Sequence, residues 1–193
     1  MNVAEIVPGL WRWTAPHPDW KEGDDWEQEV GCVYYEAPQA TVLIDPLVPE
    51  ERDRFLEALD RDVERRGLPV TALLTVPWHE RSITELVERY AAADDAPAGV
   101  EPFVVAEVDE TLWWLPEHAT LVAGDVLVGA GEGIEVCPDS WLDERSSHTS
   151  IRAALAPLLE LPVERIIVSH GEPVLEDGRA ALSRALGEEG LAK

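Results

Sequence analysis

Apolar residues recur along the chain with two different periods. WRWT (Trp11 to Thr14), EVGCVYYEA (Glu29 to Ala37) and ATVLIDP (Ala40 to Pro46) are short runs rich in β-branched and aromatic residues. They predict strands, the last two joined by a short turn at Pro38 and Gln39. PEERDRFLEALDRDVERRG carries Phe55, Leu56, Leu59 and Val63 at helical spacing and stops at Gly67, which predicts a helix. LPVTALLT, nearly all apolar, reads as a buried strand. Ser82 and Glu85 form a capping-box pattern ahead of a helix over Ile83 to Ala92. AADDAPAGVEP is a loop or linker. The strands EPFVVAEV, TLWWL and TLVAGDVLV follow, then a helix near Ile151 to Glu160 that Pro157 must start, kink or end. RIIVSHG predicts a last strand, and a final helix runs from about Asp177 to Leu186.

Strands and helices thus alternate, with no internal repeat. The pattern predicts a layered α/β architecture whose strand ends carry any functional loops. At 193 residues, 46% of them hydrophobic and eight of them tryptophan, the chain reads as a single domain, residues 1 to 193, with a full core. The polar stretch HPDWKEGDDWEQ is a solvated loop or a lid over a pocket.

Charge narrows the functional classes. Thirty-nine acidic residues oppose fifteen basic ones, a net charge of -24 spread along the chain. Such a surface repels phosphate backbones and anionic lipid, so neither nucleic acid nor membrane is an expected partner. MNVAEIVPGLWRW has no basic start, and no apolar run approaches the roughly 20 residues of a spanning helix. Cytoplasmic residence is the expectation. Cys32 and Cys137 form no metal-binding or redox pattern.

Three loops at strand ends hold the candidate chemistry: TVPWHERS (Thr75 to Ser82), AGD (Ala123 to Asp125) and SHGEP (Ser169 to Pro173). Each residue has a plain structural role open to it. Asp125 after Gly124 orders a turn, His170 is a loop imidazole bonded to backbone, and Glu80 serves the positive end of the next helix. Trp78 fills space, and His79 points either to solvent or inward. His17, His118 and His148 match no ligand position. Ser146 and Ser147 lie outside any nucleophile-elbow context.

Taken together, PGLWRW, VLIDP ending near Asp45, LLT before the first loop, GD and SHGEP, in this order, resemble the metallo-β-lactamase superfamily over nearly the full length. The hydroxyacylglutathione-hydrolase-like branch is the most similar. The resemblance implies an αββα sandwich, two mixed sheets flanked by helices, with a metal site along one edge. In that family a THxHxDH loop supplies imidazoles and carboxylates to two divalent ions, which hold a hydroxide nucleophile at neutral pH. Thr75 lies on the motif's threonine. Val76 and Trp78 then stand where two histidines are expected, Glu80 where the aspartate is, and Arg81 where the third histidine is. VVAEVDET lacks the histidine of the family's GHT element.

The resemblance therefore implies a degenerate site. Glu80, Asp125 and His170 are its remnant positions, and no metal is expected. Arg81, always charged and never a ligand, is expected to take the vacated cation position beside Asp125 or Glu80. The implied function is a non-catalytic or repurposed small-molecule-binding homologue, a pseudoenzyme, without a resident cofactor. The alternative is a hydrolase of a small ester, thioester or lactone. It would use one divalent metal such as zinc, or none, with His79 or His170 as general base and Arg81 stabilising the oxyanion. The pattern sets no oligomeric state.

Overall fold

Eleven strands and four α-helices run through residues 2–187, the part of the chain that the computed structural model describes. They fall into two compact units that meet in sequence at Val100 and Glu101, inside the predicted AADDAPAGVEP linker.

The first unit contains β1 (Asn2–Val7), β2 (Leu10–Pro16), β3 (Glu29–Ala37), β4 (Ala40–Ile44), α1 (Arg52–Arg66), β5 (Val70–Leu73) and α2 (Ile83–Tyr90). Its sheet runs in the order β1-β2-β3-β4-β5. The first four strands form an antiparallel meander, and β5 joins parallel to β4. A parallel neighbour requires a crossover, which α1 supplies. Gly67 ends that helix in the left-handed region at φ 59°, its N–H bonded to the Val63 carbonyl. Leu56 and Leu59 are buried as their spacing predicts, against a cluster that includes Trp13, Tyr34 and Leu43.

The second unit holds β6 (Glu101–Val105), β7 (Glu110–Leu115), β8 (Thr120–Ala123), β9 (Leu127–Ala130), β10 (Gly133–Val136), α3 (His148–Leu155), β11 (Arg165–Val168) and α4 (Gly178–Ala185). Its main sheet is ordered β11-β8-β7-β6, with β11 and β8 parallel, and β9 and β10 form a separate hairpin. A second core, from Val105 through Leu186, packs within this unit. The chain is thus α/β, with two mixed sheets that each carry helices.

Two local expectations change. The run TLVAGDVLV is two strands, β8 and β9. Between them the amides of Gly124, Asp125 and Val126 all donate to the Glu110 carboxylate instead of to a ladder. The Ser82 and Glu85 capping box does not form. The Ser82 hydroxyl accepts from the Val48 N–H at 2.9 Å, and Glu85 is bonded to Arg52. A true capping box occurs instead at Ser147 and Ser150, ahead of α3. Pro157 ends α3, which passes into a 3-10 turn over Ala156–Glu160. Among the described residues, no helix is long and apolar enough to cross a membrane.

Candidate functional site

Asp45, the residue that follows β4, organises the first unit's loop. It adopts φ 48° and is 4% exposed. Its backbone N–H donates to the Leu73 carbonyl, which ties the ends of β4 and β5 together. One carboxylate oxygen accepts the Thr75 N–H at 2.8 Å. The other accepts the Thr75 hydroxyl and lies 2.9 Å from Nδ1 of His79. Burial pushes the Asp45 carboxyl upward, but His79, Arg81 and Thr75 outweigh it and hold it below the usual carboxylate range. A buried carboxylate bonded to Nδ1 fixes the ring's orientation and its tautomer.

His79 therefore points inward. It is 5% exposed, with Thr75 Oγ1 at 3.2 Å completing its Nδ1 surroundings. Its loop neighbours separate sharply: Val76 is 1% exposed, Trp78 is 59% exposed, and Glu80 is exposed. Trp78 consequently does not pack as an interior filler. Arg81 is a non-glycine residue at φ 38°, a region that costs about 1–3 kcal/mol and persists only where neighbours enforce it. Its guanidinium supplies that enforcement, donating to the carbonyls of Gly31 and Asp45, each at 2.9 Å. The arginine stitches its loop to β3 and to the end of β4.

In the second unit, Asp125 and His170 come together, with Oδ1 and Nε2 3.3 Å apart. His170 is 9% exposed and meets the Trp141 ring edge-on, with centroids at 5.2 Å. Backbone contacts also place its loop. The Gly129 N–H donates to the His170 carbonyl at 2.8 Å. A Cβ on Gly129 would lie 2.4 Å from the Glu172 nitrogen, and one on Gly171, at φ 82°, 2.5 Å from the Gly129 oxygen. Only glycines permit this crossing.

Behind Asp125 lies Glu110, 1% exposed. Burial and then the Asp125 charge raise its carboxyl, three backbone N–H bonds oppose them, and the result is a group pushed up to about 8. His118 ends a 3-10 turn between β7 and β8. His148 opens α3, with Nε2 2.8 Å from the Cys137 carbonyl.

Sequence reasoning singled out His79, Glu80, Arg81, Asp125 and His170. It gave no role to Asp45, Thr75, Glu110 or Trp141. Two of these carry a readable signal: an aspartate ending an apolar strand in VLIDP, and a lone glutamate opening the apolar strand ETLWWL. Such acids are rarely buried without a structural duty.

Neither a family model nor a curated protein matches this sequence. Its structure does match solved ones. A metallo-β-lactamase of the NDM_FIM-1-like type from Erythrobacter litoralis, in its mono-zinc form, aligns with a TM-score of 0.61 at 17% identity, over 97% of this chain and 95% of that one. This chain has the metallo-β-lactamase fold. VMB-1 matches with a TM-score of 0.61 at 11% identity over 96% of this chain and 94% of its own. The metallo-β-lactamase from Pontibacter korlensis matches with a TM-score of 0.52 at 16% identity, over 97% of both chains. The fold fits the order of loops read from the sequence.

Proposed function

We propose that this chain is a metallo-β-lactamase-fold protein without a dinuclear metal centre, a cytoplasmic protein repurposed to bind a small molecule. The observation that carries this reading is the state of the three first-loop positions at which the fold family's motif has histidines. Val76 is hydrocarbon buried at 1% exposure, Trp78 is an exposed indole, and Arg81 is a cation spent on two backbone carbonyls. None offers a lone pair to a divalent ion. These residues do not fit a dinuclear centre.

A hydrolase of a small ester, thioester or lactone is the second reading, with one divalent metal such as zinc or with none. Two imidazoles favour it, because each has a carboxylate beside it: His79 with Asp45 and His170 with Asp125. A carboxylate-oriented imidazole serves equally as metal ligand and as general base.

Metal content and turnover separate the two. Protein purified without chelator is expected to contain no stoichiometric zinc, iron or manganese, and to turn over no ester, thioester or lactone in a generic panel. One equivalent of metal would overturn the first reading. So would turnover abolished by His79→Ala or His170→Ala.

A further inference from the structure

A second place on the molecule has the makings of a binding site, and it lies wholly within the first unit, apart from the loops just described. Strand pairing sets Val3 beside Trp13 and Trp11 beside Tyr34. Because side chains alternate along a strand, Trp11 and Trp13 project from the same face. Helix α1 covers that face through Leu56 and Leu59. Ala58 is too short to close the remaining space, and a groove of about 330 Å³ stays open between helix and sheet. That volume lies within the usual range of about 300–1,000 Å³ for small-molecule sites.

The floor of the groove is aromatic and fixed. The Trp13 indole N–H donates to the Leu47 carbonyl at 2.9 Å, and its ring meets Phe55 at 5.4 Å. Trp11 stands edge-on to Tyr34 at 5.3 Å. At the groove's margin Val3 is 52% exposed, an apolar residue left uncovered.

The rim carries charge of one sign to spare. Arg54 and Arg61 line the groove seven residues apart, on the same side of α1 as Ala58. Among the described residues neither forms a hydrogen bond or an ion pair. Their neighbours behave otherwise: Arg52 pairs with Glu85, and Arg65 and Arg66 pair with Glu36. Asp62, the one acid at the rim, is engaged by Arg65 at 3.4 Å. In a chain with 39 acids and 15 bases, two uncommitted guanidinium groups over an aromatic floor are a chemical specification. Guanidinium pairs bidentately with carboxylate, and flat rings stack on tryptophan.

We propose that this groove binds an aromatic carboxylate, its one or two fused rings against Trp11, Trp13 and Phe55 and its carboxylate between Arg54 and Arg61. The inference goes beyond the function proposed above and does not depend on the loop residues. Isothermal titration of the full chain with 2-naphthoate tests it, with naphthalene-2-methanol as the uncharged ring and acetate as the charge without a ring. Naphthoate is expected to bind, and each partial probe to bind at least about ten-fold more weakly, the loss of one charge-assisted contact. Arg54→Gln with Arg61→Gln should weaken naphthoate by a similar factor while the melting temperature stays unchanged. Ala58→Trp should abolish binding by filling the groove. If that variant does not fold, the arginine pair decides. The proposal is overturned if naphthoate does not bind, if it binds both variants like the parent, or if the neutral ring binds equally well. It is also overturned if light scattering shows a dimer that Ala58→Trp dissociates, because the groove would then belong to a second copy.

Discussion

The buried side chains Asp45 and Glu110 have opposite electrostatics, and each makes a testable statement about pH. Asp45 is held below the usual range by the imidazole, guanidinium and hydroxyl around it. Its contribution is therefore present above the unfolded-chain value of about 3.9 and lost as pH falls through its lower folded value. Asp45→Asn should cost about 3 kcal/mol in urea unfolding at neutral pH, since it strands a buried partner. It should also flatten the acid limb of the stability curve, and an unchanged acid limb would contradict the assignment. Glu110 works the other way. Raised to about 8 from 4.5, it holds a proton that the unfolded chain has already released. Its contribution is full below pH 4.5 and declines as pH rises to about 8. Glu110→Gln should remove that decline in an unfolding series over the same pH range, while losing about 1–3 kcal/mol because an amide cannot accept all three backbone N–H groups. At this scale the sequence was half legible. His170, Asp125 and Arg81 stand out by type and position, but the burial of Glu110 and the pairing of Asp45 with His79 depend on strand register and a turn, which no local pattern encodes.

Elements were easier to read than their ends. β3 covers the predicted span, and α1 buries the Leu56 and Leu59 stripe that its period announced. Where prediction failed, a tertiary partner had taken a group that local chemistry claimed. The Val48 amide took the Ser82 hydroxyl from the helix cap, and Glu110 drew three amides out of a strand that hydropathy had drawn as continuous. β1 went unread because its residues are mostly exposed and so lack an inward-facing alternation. The crossing of β9 with the loop after β11 gives the sharpest prediction at this level. Gly129→Ala places a methyl group 2.4 Å from backbone, which no side-chain rotation can relieve. A loss of 3 kcal/mol or more is expected, at or above the upper end of the usual overpacking cost of about 1–3 kcal/mol. Thermal unfolding of the variant provides the check, and a parent-like melting temperature would mean that the two backbones are farther apart than described.

The whole molecule carries a net charge of -24, so self-repulsion opposes the folded state over its entire surface. Screening should relieve it. The melting temperature is expected to rise between about 0.01 M and 0.15 M sodium chloride, as the Debye length contracts from about 30 to 8 Å. A flat response would mean that local ion pairs, such as Arg89 with Asp60, already neutralise the field. The order of loops announced the global fold, because order survives when individual residues change. Function was less legible, since it rests on a few side chains whose partners only the tertiary fold sets. The glycine crossing bears on how that question is answered. The carbonyl of residue 170 and the backbones of Gly129 and Gly171 set the course of the loop, and none of these is side chain. An alanine at position 170 would thus keep these backbone contacts while deleting the imidazole together with its contacts to Asp125 and Trp141. A silent His170→Ala protein that keeps the parent's melting temperature can accordingly be read as missing chemistry and not as a collapsed scaffold.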